Sequence, residues 1–254
     1  RAFMDIASGD SAVYNMGFTM ATRARIEEYI TCVRDLMSKG EGTYQGRTQK
    51  MRWTDQMVRN KIPISICAEG PRMLQLAGRV GDGVIAGTGL LPEIIKDTTE
   101  RVYAGAREEG RDPSEIEVWF TTRCSLNDDH DKAIENVMAS VSSILHHSMK
   151  VSLEDKHVPE ELREQIQAYV DGYVLYDHVL AGGQNPKQMQ ERGLADYAIN
   201  RFALAGNAKD WINRIEEIAD SGATKLWMNL GGTNPEEEKH YMRVFGEEIL
   251  PHFQ

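Results

Sequence analysis

The sequence predicts an α/β fold built from parallel βαβ units. Short apolar segments alternate with longer segments in which apolar residues recur every three to four positions, and loops rich in glycine and proline join them. The short segments are typical of buried strands and the longer ones of amphipathic helices. Strands that alternate with helices favour a parallel sheet over an all-helical or all-β fold.

The apolar pattern predicts five strands and at least six helices. The predicted strands are residues 2–7, 62–68, 84–86, 116–124 and 225–230, with Gly231-Gly232 after the last. The predicted helices are residues 22–39, 71–77, 92–110, 133–145, 208–221 and a closing helix that runs to Leu250-Pro251. Gly40 is placed to end the first of these, Pro71 and Pro92 to begin the next two, and Asn127-Asp128-Asp129 to cap the fourth.

Residues 153–198 interrupt this alternation with a helical but irregular pattern. No repeat, low-complexity tract or linker stands out elsewhere, so the sequence indicates a single domain, residues 1–254, with a helical insertion at 153–198. Five strands are fewer than the eight that close a (β/α) barrel. The chain also opens on an apolar segment without an initiator Met, from which we expect a further segment upstream.

Composition excludes several classes of function. The formal net charge of -10 argues against binding to duplex nucleic acid, which requires basic residues. No apolar run reaches the ~20 residues of a membrane helix, and the N-terminus has no signal-peptide pattern. The 3 Cys lack metal-ligand spacing and fit a reducing compartment, so we expect a cytoplasmic protein without a structural zinc. The histidines at 146, 147, 157 and 178 match no ligand pattern, so no metal site is expected.

Three loops rich in small residues follow predicted strands, where ligands bind in parallel α/β folds. They are Ser8-Gly9-Asp10-Ser11, Ala68-Glu69-Gly70-Pro71 and Ala86-Gly87-Thr88-Gly89. Glycine lets backbone amides approach a phosphate closely, the helix that starts at Pro71 directs its positive end to the site, and Arg72 adds a cation. The alternative is that all three loops are only tight turns. Asp10 could contact a cofactor ring or act as an acid, or it could cap a turn, and Glu69 is equally ambiguous.

Several segments resemble the bacterial-luciferase-like family of flavin- and deazaflavin-dependent oxidoreductases. Residues 9–13 (GDSAV) with the following helix resemble its fourth βα unit. The most specific similarity is in residues 63–74 (PISICAEGPRML) and 76–85 (LAGRVGDGVI). Residues 105–113, 206–207 and 222–223 also resemble family segments, so the likeness spans nearly the whole chain.

The resemblance implies a (β/α)8 TIM barrel of which about five βα units are present, the first three having no counterpart. It implies that Glu69-Gly70-Pro71-Arg72 and Gly87-Thr88 contact the cofactor phosphate and that Asp10 lies near the ring. We expect Ser8, Gly9 and Ala68 to be further cofactor-binding residues and Asp10 to be the catalytic residue. The insertion would cover the barrel mouth, with Tyr173, Tyr176 and His178 in the substrate pocket. A homodimer is expected, since relatives are commonly dimers.

Three functions remain open at this point. The leading hypothesis is a monooxygenase that uses reduced FMN and oxygen on a small organic substrate, with a flavin reductase supplying the reduced FMN. The first alternative is a reductase or dehydrogenase that transfers hydride with the deazaflavin coenzyme F420. The second alternative is a catalytically silent barrel subunit.

Overall fold

The computed structural model describes residues 2–52, 62–230 and 235–254. The strands of the described residues are β1 (Met4–Ile6), β2 (Glu41–Tyr44), β3 (Arg47–Lys50), β4 (Ile64–Ala68), β5 (Gly83–Ala86), β6 (Glu117–Leu126), β7 (Ala203–Gly206) and β8 (Leu226–Leu230). The α-helices are α1 (Ser11–Asn15), α2 (Arg23–Lys39), α3 (Pro71–Val80), α4 (Pro92–Glu108), α5 (His130–Met149), α6 (Arg163–Asp171), α7 (Gln184–Glu191), α8 (Ala195–Phe202), α9 (Ala208–Asp220) and α10 (Pro235–Val244). Strands therefore alternate with helices, as the sequence predicts.

The chain divides into two compact units. Unit 1 comprises Arg1–Ile85 and Glu100–Glu117, and unit 2 comprises Ala86–Thr99 and Val118–Gln254. The turn predicted at Gly231-Gly232 lies outside the described residues. None of the helices in the described ranges is long and apolar enough to cross a membrane.

Unit 1 contains strands β1, β4 and β5, adjacent in that order. β1 and β4 are parallel, with Met4 opposite Ile64 and Ile6 opposite Ile66. Because the strands are parallel and in this register, the loops that follow them leave the same edge of the sheet. The Ser8 and Ala68 loops therefore lie at the same edge.

The ends of α2 are set by its own sequence. The Thr22 hydroxyl accepts a hydrogen bond from the Arg25 amide, and Gly40 closes the helix with a left-handed φ of 79°. Ile26 and Ile30, four positions apart, are buried on one face. These are the ends and the apolar face that the sequence predicts.

Helices α3 and α4 approach each other closely at two glycines. A Cβ added at Gly78 would lie 1.9 Å from the Val102 carbonyl oxygen, and one at Gly105 would lie 2.0 Å from the Gln75 carbonyl oxygen. Any side chain at either position would push the helices apart, so the glycines fix their spacing. Arg111 then donates to the Gly78 carbonyl at 2.8 Å.

The structure contains a β-hairpin that the sequence pattern does not predict. β2 and β3 pair antiparallel, with Glu41 opposite Lys50, and the turn residues Gln45 and Gly46 have φ values of 50° and 69°. Positive φ at both turn residues is typical of a type I′ hairpin. The four residues of β3 are all exposed and polar, so this strand carries no apolar alternation by which it could be recognised.

Unit 2 contains a strand that corrects the predicted count. β6 pairs in parallel with β7 on one side and with β8 on the other, so the described residues contain six strands outside the hairpin rather than five. β7 is only four residues long, and it follows the last residue of α8 without an intervening loop. The turn residues that normally mark a strand boundary are therefore missing there.

The insertion packs on α5 through a continuous apolar core. Ile166, Tyr169, Met189 and Leu194 are each fully buried against residues of α5 and α8. The Tyr169 hydroxyl donates to the Ser142 carbonyl at 2.8 Å, which satisfies its buried polar end. Residues 153–198 therefore contribute to the core of unit 2, and their irregular sequence pattern reflects short helices, at residues 163–171, 184–191 and 195–202, the last of which runs past the predicted end at 198.

Candidate cofactor-binding loops

The loop after β1 is shaped by a glycine that no other residue could replace without strain. Gly9 has a φ of 104°, and a Cβ at this position would lie 2.6 Å from Cγ2 of Val13. Gly9 is followed by Asp10, which lies at the N-terminal boundary of α1. The Asp10 carbonyl accepts from the amides of Val13 and Tyr14, but the carboxylate makes no capping hydrogen bond. The helix-cap interpretation of this half-buried carboxylate is therefore not supported.

The loop after β4 leads into a helix N-terminus that has no capping side chain. Gly70 occupies the cap position with φ −87° and ψ 148°, and Pro71 is the first helical residue. The first turn of α3 holds no acidic residue, and a Cβ at Gly70 would meet nothing within 4 Å. The positive end of this ten-residue helix thus faces open space, which suits an anion. Arg72 is exposed in the same turn.

The N-terminus of α9 shows the contrasting arrangement. The Asn207 side chain accepts from the Asp210 amide at 3.1 Å, and the Asp210 carboxylate accepts from the Asn207 amide at 3.0 Å. This capping box satisfies the helix amides from within and places a negative charge there. A Cβ at Gly206 would lie 2.4 Å from the same carboxylate. The N-terminus of α9 is therefore already closed to an anionic ligand.

Cys67 stands on β4 next to the Gly70 loop, but it is not an activated nucleophile. Burial, followed by the negative charges of Asp5 and Glu69, raises the pKa of the Cys67 thiol to about 11. Burial likewise raises the pKa of Cys124 to about 12. Both thiols therefore remain protonated at neutral pH, and nucleophilic catalysis by either of them has no support.

The loop after β5 is held by side chains of unit 2. The Thr98 hydroxyl donates to the Thr88 hydroxyl at 2.9 Å, and both residues are buried. Nε of Arg201 donates to the Thr88 carbonyl at 3.0 Å. Because the Thr88 hydroxyl accepts from Thr98, its own proton is directed to another acceptor. This arrangement can supply a hydroxyl donor to a phosphate.

Two of the three predicted substrate-pocket residues are in contact. The Tyr173 hydroxyl lies 2.8 Å from Nδ1 of His178, and the His146 ring stacks on the Tyr173 ring with centroids 3.7 Å apart. Tyr169 packs edge-on against Tyr173 at 5.9 Å. Tyr176 is 97% exposed and does not join this cluster. Its position in the short helical turn at residues 175–177 directs the ring to solvent, which the sequence pattern could not indicate.

The sequence pattern did not single out Thr98 and Arg201, although both contact the Thr88 loop. Thr98 gives no signal in the sequence, because one threonine in an amphipathic helix is common. Arg201 does give one, since it is a cation directly before the apolar residues 202–205. Among the described residues there is no group of three His, Cys, Asp or Glu that could hold a metal ion.

Comparison with known proteins identifies the family. The profile of the luciferase-like monooxygenase family matches residues 1–225. The chain belongs to this family. It is an oxidoreductase of the luciferase-like type, and the α/β elements described above are those of the family's TIM barrel.

Several proteins similar to this chain are reductases and dehydrogenases, some of them named for coenzyme F420. A 5,10-methylenetetrahydromethanopterin reductase of Methanopyrus kandleri is 29% identical over 275 residues, which cover 100% of this chain and 74% of that protein. An F420-dependent glucose-6-phosphate dehydrogenase of Microbacterium testaceum is 25% identical, covering 89% of this chain and 60% of that protein. The structure of the coenzyme F420 dependent tetrahydromethanopterin reductase from Methanopyrus kandleri aligns with a TM-score of 0.73 and 25% identity, covering 100% of this chain and 75% of that one.

These relatives correct the leading functional hypothesis. The expectation of a monooxygenase that uses reduced FMN and oxygen is wrong, because relatives that match 89–100% of the chain at 25–29% identity are reductases and dehydrogenases, some of them F420-dependent. An EDTA monooxygenase aligns with a TM-score of 0.61 at 15% identity, which shows a shared fold and no more. The loops on which the hypothesis depended are suited to a phosphate, and their geometry does not distinguish one flavin-type ring from another.

Proposed function

We propose that the protein transfers a hydride between the deazaflavin coenzyme F420 and a small organic substrate. The observation that carries this proposal is the similarity to F420-linked reductases and dehydrogenases, at 25–29% identity across 89–100% of the chain. The structure that aligns at 25% identity is also that of a coenzyme F420 dependent reductase. When bound, the deazaflavin supplies the hydride acceptor or donor, and the protein binds, orients and shields it.

In unit 1, the residues fit the negatively charged part of such a cofactor. The uncapped N-terminus of α3 offers amide donors beside open space at Gly70. Pro71 has no amide hydrogen and starts the helix without needing a partner. Arg72 would add a charge-assisted contact from its exposed position in the first turn. Glu69 precedes this turn, and it would contact the phosphate through its backbone, since a carboxylate directed at the phosphate would repel it.

In unit 2, Gly87-Thr88 fits the same chemistry with a different donor. The Thr88 hydroxyl is oriented by Thr98 and can donate its own proton to a phosphate oxygen. The loop is held in place before any ligand binds, which lowers the entropic cost of binding.

Asp10 is the residue to which we assign proton handling. Hydride removal from an alcohol carbon leaves a hydroxyl proton that a base must accept. The Asp10 carboxylate is half-buried, does not cap α1 and directly follows the left-handed Gly9. Ser8, Gly9 and Ala68 would form the backbone wall at the same sheet edge. Within unit 2, the hydrogen-bonded pair Tyr173 and His178 can both donate and accept, which would suit a contact with a polar substrate.

Binding titrations with two cofactors test the proposal. The purified protein is titrated with F420 and, in parallel, with FMN, following cofactor fluorescence. We expect saturable binding of F420 at micromolar concentration and at least tenfold weaker binding of FMN. Equal affinity for the two, or no binding of F420 at high micromolar concentration, would contradict the proposal. The variant Asp10→Asn should bind F420 normally and lose hydride transfer.

A further inference from the structure

Arg201 is a buried cation that connects three separate segments of unit 2. It is 1% exposed. Nε donates to the Thr88 carbonyl at 3.0 Å, and Nη1 donates to the Lys156 carbonyl at 2.8 Å and to the Tyr197 hydroxyl at 2.6 Å. Thr88 belongs to the loop after β5, whereas Lys156 and Tyr197 belong to the insertion. One guanidinium thus links the proposed phosphate loop to the insertion.

The planar guanidinium suits this role better than any other side chain. Its donors point in fixed directions, so Nε and Nη1 can serve different segments at the same time. The rings of Phe202 and Tyr197 flank the guanidinium. Cζ of Arg201 lies 5.2 Å from the centroid of the Phe202 ring and 5.8 Å from that of the Tyr197 ring. A buried cation destabilises the fold unless its donors are hydrogen-bonded, so the loss of any of these contacts would lower stability.

The backbone of Arg201 contacts the same loop. The Leu90 amide donates to the Arg201 carbonyl at 2.6 Å. Between the two contacts lies Gly89, with a φ of 118°, where a Cβ would be 2.6 Å from Cγ of Arg201 and 2.9 Å from its carbonyl oxygen. The loop therefore lies directly against Arg201, and only glycine leaves room for that approach.

The contact with the Thr88 carbonyl also fixes the direction of an amide. The C=O of Thr88 and the N–H of Gly89 belong to one peptide plane, and the described residues contain no cis peptide bond. In a trans peptide the two groups point to opposite sides. Because Arg201 holds the carbonyl, the Gly89 N–H points away from Arg201, where it can serve as a donor to an anion.

We propose that Arg201 is a positioning residue for the cofactor, which holds residues 87–89 in their phosphate-binding conformation and ties that conformation to the insertion. The inference rests on the proposed function, since it takes the ligand of this loop to be the cofactor phosphate. Arg201 touches the loop and not the reacting atoms. Its loss should therefore weaken cofactor binding while the chemical step, once the cofactor is saturating, changes little.

The variants Arg201→Met and Arg201→Lys test this role against the control Ile166→Ala. Ile166 is fully buried in the same unit and lies in the insertion core, so its truncation lowers stability without removing a contact to the Thr88 loop. Hydrogen exchange of the amides at residues 87–91 is measured without cofactor, the dissociation constant of F420 by titration, and kcat at saturating F420. Arg201→Met should speed exchange in the loop at least tenfold and weaken F420 binding at least tenfold, with kcat within threefold of wild type. Arg201→Lys should recover part of both.

The outcomes separate the inference from the function on which it rests. If the wild-type protein does not bind F420, the proposed function fails, and the exchange data still show whether Arg201 holds the loop. If Arg201→Met and Ile166→Ala have the same loop exchange and the same F420 affinity, the positioning role is refuted. Should Arg201→Met fail to fold, Arg201→Lys decides, because a single ammonium cannot place donors at both the Nε and Nη1 positions. Wild-type exchange and affinity in that variant would overturn the inference.

Discussion

The substitution Gly70→Asp should affect folding and cofactor binding in opposite directions. Gly70 holds the cap position of α3 with backbone angles that Asp adopts readily at helix N-termini, and its missing side chain leaves space for one. The new carboxylate would cap the helix from within, as Asp210 helps to do in α9. A better cap and the helix dipole together contribute about 0.5–1 kcal/mol, so the melting temperature should rise by about 1–3 °C.

The same carboxylate would occupy the place of the cofactor phosphate. Two unit charges roughly 5 Å apart repel by about 3 kcal/mol at an effective dielectric constant of about 20. Salt screens part of this repulsion, so we expect F420 binding to weaken by about 10- to 100-fold. Gly70→Asn is the matched control, because it has the same shape and can also cap the helix but carries no charge.

The two variants are compared by thermal melting and by F420 titration at low salt and at a salt concentration of about 0.5 M, where the Debye length falls to a few ångströms. Gly70→Asp should bind F420 more weakly than Gly70→Asn does, and the ratio of their dissociation constants should be smaller at high salt. If Gly70→Asp binds F420 as tightly as Gly70→Asn, the anion does not sit at this helix end and the assignment of the loop is wrong. A fall in melting temperature in both variants would mean that the cap position is not open as described.

Three further predictions concern two glycines and the half-buried thiol of Cys67. Gly9→Ala should lower stability by about 1–3 kcal/mol, because its left-handed φ and the contact with Val13 both disfavour a side chain; urea unfolding measures this. Gly78→Ala should be at least as destabilising, by about 3 kcal/mol or more, since its methyl group would overlap the Val102 carbonyl, and a melting temperature equal to wild type would contradict the close helix packing. Because the pKa of Cys67 is raised to about 11, the stability it contributes is present below about pH 9 and is lost as pH rises through about 11. Urea midpoints should fall as the pH rises from about 8 to about 11, and less steeply in Cys67→Ala.

Local chemistry made several elements predictable from the amino-acid sequence. The ends of α2 follow from the Thr22 hydroxyl and from Gly40, and the start of α3 follows from Pro71. These signals act within one turn of the chain, so they need no tertiary context. The loops after β1, β4 and β5 could be assigned for the same reason, since small residues directly after an apolar strand mark the edge where ligands bind.

Elements without local signals could not be predicted. The exposed polar strand β3 has no apolar pattern of its own and is held by its pairing with β2. The apolar strand β7 directly follows α8 with no turn residue between them, so only its pairing with β6 distinguishes it as a strand. The leading functional hypothesis was wrong for a related reason. Donors in the predicted loops would bind the phosphate of either cofactor, so they do not distinguish FMN from a deazaflavin, and the hypothesis was contradicted by the similarity to F420-dependent relatives.

The sequence by itself determined the α/β class, the family and the segments that form the candidate loops. Apolar periodicity, helix caps and turn residues involve only residues close together in the chain, so they can be recognised without the folded structure. Only the tertiary structure decided which side chains support those loops. Arg201 reaches Thr88 across 113 positions of sequence, and Tyr173 meets His146 and His178 while Tyr176 turns to solvent. Such contacts depend on how whole helices pack, and that packing is a property of the folded chain rather than of any segment.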